Sequence, residues 1–102
     1  MFSDEKVKGF VALLDRAIAI AQERINLQAQ GAEDKAPRGA LEPIVEGLSE
    51  YREQALSGKL PLSEGHVTLG ILRAVADWGE DGESPLFKLA QDLERYYLKE
   101  MK

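Results

Sequence analysis

The stretch VKGFVALLDRAIAIAQERI, from Val7 to Ile25, decides the fold of this 102-residue chain. Its apolar residues recur at alternating spacings of four and three, which places them on one face of an α-helix. This stripe consists of Val7, Val11, Leu14, Ile18, Ala21 and Ile25. Phe10 and Ala17 widen the stripe to the breadth of a core-facing helix, and Ser3 is suited to cap its start. The pattern therefore predicts a helix over residues 4–30.

Three further helices are predicted after an exposed loop over residues 31–39, whose sequence GAEDKAPRG breaks the pattern with two glycines and a proline. They span residues 42–57, 63–78 and 85–101. Gly58 is expected to end the second helix, and Ser63 to cap the third. Gly70 lies inside the third helix, where it would allow close approach of another helix. The fourth opens with a serine cap followed by proline. The prediction is one all-α domain, residues 1–102, resembling a small four-helix bundle.

Composition excludes several classes of protein. The chain has no cysteine, which removes disulfide frameworks, thiolate metal sites and cysteine nucleophiles, and fits a reducing compartment. No leader motif or long apolar segment is evident, so we expect a cytoplasmic protein without a membrane span. The net charge of −5 comes without a cluster of lysine or arginine, which argues against binding to nucleic acid.

The acidic stretch DWGEDGESPLFK, residues 77–88, resembles a helix–loop–helix calcium site only in part. Lys88 occupies the twelfth position, where calcium loops carry a bidentate glutamate. A turn explains more of the residues, because Gly79 can end one helix and Ser84 with Pro85 can begin the next. The alternative is an irregular cation site that uses four carboxylates without a basic neighbour: Asp77, Glu80, Asp81 and Glu83.

Catalytic groups are scarce. His66 is the single histidine, and we expect it to be solvated or locally hydrogen-bonded beside the first turn of its helix. A triad of Ser63, His66 and Glu64 would place all three residues on one helical turn, which rarely gives triad geometry. No E-x-x-H pair, Walker pattern or glycine-rich dinucleotide motif occurs. We therefore predict no catalytic residue, no cofactor and no metal.

A second apolar line runs along the first helix at seven-residue spacing, about 120° from the middle of the main stripe. It consists of Leu13, Ile20 and Leu27. Self-association, or docking of a partner helix, would cover it, and Phe87 and Leu98 would suit the same interface. The alternative is that the helix is shorter than predicted, or lies centrally with neighbours on two sides.

Two charged features belong to the second helix. Four glutamates share an arc opposite its apolar stripe: Glu42, Glu46, Glu50 and Glu53. They form either an ordinary solvated surface or an acidic docking face. Arg52 points near the apolar side. The default interpretation is that it extends its stem over the core and keeps its charge in water, and the alternatives are that it pairs with a buried carboxylate or anchors an interface.

These observations favour a non-enzymatic protein-interaction module, an adaptor or regulatory subunit that dimerises or docks a protein partner through its first helix. One alternative is a small-molecule site or small enzyme whose pocket is lined by Trp78, Tyr51, Tyr96 and Tyr97, with His66 or Arg52 as polar anchor. Another is an acidic protein that occupies the basic nucleic-acid-binding surface of a partner.

Overall fold

The computed structural model describes residues 3–61 and 69–101, and within these ranges the chain forms four α-helices and no strand. They are α1 (Asp4–Ala29), α2 (Leu41–Ser57), α3 (Ile71–Ala76) and α4 (Pro85–Glu100). The predicted all-α class is confirmed. The predicted bounds of α1, α2 and α4 lie within one residue of those observed, because capping residues and apolar periodicity both mark these helices in the sequence.

The helix ends follow the predicted capping chemistry. Ser3 Oγ accepts a hydrogen bond of 3.3 Å from Lys6 N at the start of α1, and Ser84 Oγ accepts one of 3.3 Å from Phe87 N at the start of α4. Gly58 follows α2 with a φ of 76°. This left-handed conformation carries no steric penalty in glycine, and it ends the helix cleanly.

The prediction for α3 is wrong in its extent. Gly70 has a φ of 79° and directly precedes Ile71, so the helix cannot continue through it and covers six residues only. Among the described residues, no atom lies within 4 Å of the position that a Cβ on Gly70 would occupy, so within this part of the chain the glycine serves a backbone turn and not a close helix approach. The remainder of the prediction, including the Ser63 cap and His66, falls on residues 62–68, which lie outside the described part of the chain.

The helix α1 lies centrally, with α2 and α4 packed antiparallel to it on two sides, and α3 packs against α4. The molecule measures 44 × 22 × 17 Å. Its long dimension is close to the ~39 Å expected for a 26-residue helix such as α1. The centre of the core is formed by large side chains without solvent exposure: Phe10, Leu14, Leu41, Leu48, Val75, Leu86, Leu93 and Met101. Leu56 on α2 lies outside this core and is 57% exposed.

The loop between α1 and α2 covers the C-terminal end of α1. It is non-helical as predicted, but Ala36 is only 3% exposed, so the expectation of a wholly exposed loop is wrong at this residue. Gln28 Nε2 donates a hydrogen bond of 3.0 Å to Ala36 O, which satisfies a buried carbonyl and fixes the returning chain. The loop therefore covers the end of α1 on the side of Gln28, while Leu27 and Ala29 remain exposed.

Candidate functional site

One guanidinium joins three segments of the chain. Arg24, near the end of α1, binds Asp34 in the α1–α2 loop and Glu80 in the turn before α4. Its Nε donates to Asp34 Oδ2 at 2.8 Å, its Nη1 to Glu80 Oε1 at 2.8 Å and its Nη2 to Glu80 Oε2 at 2.7 Å. Nη2 also donates to Asp34 Oδ1. Both carboxylates are thus held bidentately, a geometry that the planar guanidinium provides and a lysine ammonium cannot.

This Arg24 cluster is largely removed from water, since the side chains of Arg24, Asp34 and Glu80 are 18%, 12% and 2% exposed. The hydrogen bond from Arg24 holds the pKa of Asp34 below its usual value, and the same bond raises the pKa of Arg24. Ser84 Oγ donates to Glu80 Oε1 at 2.5 Å, so the residue that caps α4 also belongs to the cluster. These ion pairs connect α1 to the α1–α2 loop and to the turn before α4, and we call the arrangement a structural clip.

The acidic turn has a basic neighbour, contrary to the expectation from sequence. Glu80 points inward to Arg24, and Asp81 Oδ1 accepts a hydrogen bond of 2.9 Å from the backbone of Glu83. Gly79 takes the left-handed conformation of a helix end, with a φ of 83°, as predicted. Within residues 3–61 and 69–101, no three acidic or histidine side chains come together as metal ligands would. The geometry here is that of a chain reversal held by an ion pair.

A second set of polar side chains forms hydrogen bonds to the backbone on either side of residues 62–68. Tyr97 Oη donates to Pro61 O at 2.6 Å, and Tyr51 Oη donates to Leu69 O at 3.0 Å. Glu94, only 8% exposed, accepts a bond of 2.6 Å from Leu69 N. Burial raises the pKa of both tyrosines, with the nearby Glu94 carboxylate adding to the effect.

The aromatic residues proposed as a pocket have structural roles. Tyr51 and Tyr97 donate to backbone carbonyls as described above, and Tyr96 Oη donates to Lys6 O at 2.8 Å. Arg52, the proposed polar anchor, forms an ion pair of 2.7 Å with Asp15 on α1, and both side chains are about half exposed. Arg52 thus pairs with a carboxylate, but the predicted partner was a buried carboxylate and Asp15 is half exposed.

The second apolar line of α1 faces the side on which α4 packs. Gly9 lies on the same side, and a Cβ there would come within 3.0 Å of Tyr96 Cζ on α4. Leu13 and Ile20 are partly buried against the core, whereas Leu27 keeps 44% of its surface exposed. Packing of α1 between two neighbouring helices therefore accounts for Leu13 and Ile20, whereas Leu27 is left exposed to solvent.

The five candidate interface residues do not form one surface. At 100° per residue, Phe87 lies about 180° around α4 from Tyr96, and Leu98 about 160° from it. Tyr96 contacts the N-terminal part of α1 through Lys6. Phe87 and Leu98 therefore lie on the opposite side of α4 from Leu13, which a linear sequence cannot reveal without knowing which face of α4 meets α1.

A shallow groove runs between α1 and α4 beside Leu13, the partly buried residue at the N-terminal end of this line. It has a volume of about 300 Å³ and is lined by Leu13, Asp92, Arg95, Tyr96, Lys99 and Glu100. The four charged side chains are exposed and include two of each sign. These four charged residues were not predicted as part of a site, because charged residues are usual on the polar face of an amphipathic helix.

The four glutamates Glu42, Glu46, Glu50 and Glu53 are all exposed on the outer face of α2, which we call the acidic face. Within the described part of the chain, no ion pair includes any of them. Like charges at this spacing cost helix stability slightly. The surface they form is acidic and open to solvent.

Comparison of the chain with known protein families, with characterised proteins and with solved structures finds no match. Among residues 3–61 and 69–101, no helix combines the length and apolar character needed to span a lipid bilayer.

Proposed function

We propose that this chain is a non-enzymatic protein-interaction module of the cytoplasm, which associates as a dimer or with a protein partner through the α1–α4 face. This face consists of the line Leu13, Ile20 and Leu27 together with the groove that lies beside Leu13. The observation that carries the proposal is the groove beside the partly buried Leu13, whose apolar floor and charged rim have the arrangement of core and rim found in protein interfaces. Leu27, at the far end of the line, adds an exposed apolar side chain.

The use of polar groups inside the fold supports a role without catalysis. Every buried side-chain nitrogen or oxygen within residues 3–61 and 69–101 has a hydrogen-bond partner. Arg24 and Glu80 pair with each other, Gln28 holds a carbonyl, and Glu94 holds a backbone N–H. Catalytic sites usually gather polar groups that are free to meet a substrate. Here these groups serve the fold.

The acidic face provides a second surface for the same role. Its four carboxylates form no ion pair within the described residues, so they would favour a basic partner. This is the observation behind a second candidate function, in which the chain covers a basic nucleic-acid-binding surface of another protein. Such binding would weaken steeply as salt screens the charges.

Native mass spectrometry of the chain isolated gently from its source tests the proposal, because one spectrum reports copies, partner chains and retained ligands. We expect a discrete homodimer or complex with another protein, and we expect Leu27→Ser to reduce it. Leu56→Ser is the matched control, since Leu56 on α2 is also exposed but lies off the α1–α4 face. A monomer that carries a stoichiometric metal or metabolite would overturn the proposal, as would equal effects of the two substitutions.

A further inference from the structure

We infer that the groove between α1 and α4 seats the same face of a second copy of this chain. This inference rests on the proposed function and names the partner of the α1–α4 face. Its apolar floor is Leu13 with the ring of Tyr96, and its rim carries Asp92, Arg95 and Lys99 together with Glu100.

A two-fold interface brings a surface against itself, so the surface must be complementary to itself. Two carboxylates and two cations line the groove, so its rim carries no net charge and two copies can face each other across it without net repulsion. The acidic face of α2 could not do this, because it would oppose four glutamates to four. For a chain of net charge −5, the groove is thus a surface on which a second copy meets little electrostatic resistance.

The rim charges are also free to change partners. The single ion pair recorded among them joins Arg95 and Asp92 at 3.7 Å within α4, with side chains 63% and 51% exposed. An exposed pair at this separation contributes little to the fold, so exchanging it for a pair with a second copy costs little. The lining of six residues is small compared with the ~20–30 residues per partner of a standard interface. The dimer is therefore weak, with a dissociation constant of roughly micromolar or higher.

Charge-swapped variants of the rim test the inference by sedimentation equilibrium. One variant makes the rim acidic (Arg95→Glu with Lys99→Glu), and the other makes it basic (Asp92→Lys with Glu100→Lys). Because each then opposes like charges across the two-fold, the dissociation constant of each alone should rise roughly tenfold or more. An equimolar mixture should associate again, since an acidic rim then meets a basic one.

The basic variant separates this inference from a general effect of net charge. Each acid-to-lysine change adds two charges, so the pair takes the chain from −5 to −1. General repulsion would then fall and association would strengthen, whereas rim pairing predicts that it weakens. The matched control is Glu46→Lys with Glu50→Lys, which makes the same charge change on the acidic face and should not weaken association. Circular dichroism verifies that each variant is folded.

The inference fails if the unmodified chain remains a monomer at millimolar concentration, or if the mixture associates no better than either variant alone. The proposed function survives both results if the chain from its source forms a complex with another protein that Leu27→Ser reduces. The proposed function is overturned if the chain neither dimerises nor forms a complex with another protein. The two ideas can therefore be rejected separately.

Discussion

Replacing Arg24 with methionine tests whether one guanidinium holds the α1–α2 loop and the α3–α4 turn against α1. Methionine keeps the length of the apolar stem and a high helix propensity, so the substitution removes mainly the charge and its hydrogen bonds. It leaves Glu80, whose side chain is 2% exposed, with Ser84 as its remaining side-chain donor. An ionised carboxylate cannot be left in this position without a large cost.

The magnitude follows from burial. Removing one partner of a buried ion pair typically costs about 3–5 kcal/mol. Arg24 and Asp34 keep 18% and 12% of their side-chain surface, so water can partly replace the lost contacts and we expect about 2–4 kcal/mol. Domains of this size are stable by only about 5–15 kcal/mol, so this is a large share of the total.

Arg52→Met is the matched control for this substitution. The Arg52 pair with Asp15 has the same shortest separation, 2.7 Å, as the pair of Arg24 with Glu80, but its side chains are 43% and 50% exposed. Exposed pairs of this kind contribute about 0–1 kcal/mol. Residue type and shortest distance are the same at the two sites, whereas burial and the number of carboxylates bound differ.

Urea unfolding followed by circular dichroism measures both free energies of unfolding, with an unchanged slope indicating that the unfolded state is not altered. Adding Glu80→Gln to Arg24→Met should recover part of the loss, because a neutral amide is cheaper to bury than a carboxylate. Equal losses for the two arginine variants, within about 0.5 kcal/mol, would refute the assignment of Arg24 as a structural clip.

Two further predictions concern pH and glycine. The pKa of Asp34 is lower in the folded chain than in the unfolded chain, so the unfolded chain binds this proton first as pH falls. The unmodified protein should therefore be more stable than Asp34→Asn by a constant amount above about pH 5, and this difference should shrink as pH falls below the ordinary aspartate pKa of 3.8. Urea midpoints measured at each pH give the difference. Gly47→Ala in α2 should stabilise the protein by about 0.5–1 kcal/mol through helix propensity, because no atom of the described residues lies within 4 Å of the added Cβ. Gly9→Ala in α1 should not raise the stability in this way, because its Cβ would displace Tyr96. Thermal unfolding measures both variants, and equal stabilisation by the two would contradict the close packing of Gly9 against Tyr96.

Local features of the sequence were sufficient to predict three of the four helices. Apolar periodicity predicts α1, α2 and α4, and the serine caps and Gly58 mark their ends, because capping needs only neighbours a few residues away. The same local rules misjudged α3. The sequence does not show whether Gly70 will be helical or left-handed, since glycine tolerates both and only the packing of Ile71 and Val75 against α4 decides.

The pairing of charges, and the burial of apolar residues by other helices, could not be predicted from the sequence and are seen in the folded chain. Arg24 and Glu80 are 56 residues apart, and no spacing rule predicts that they meet. The line through Leu13 and Leu27 resembles a free interface in the sequence, yet α4 covers part of it, because a central helix needs an apolar flank for each of its two neighbours. Periodicity reports which side of a helix avoids water, whereas the partner that covers that side depends on how distant segments pack.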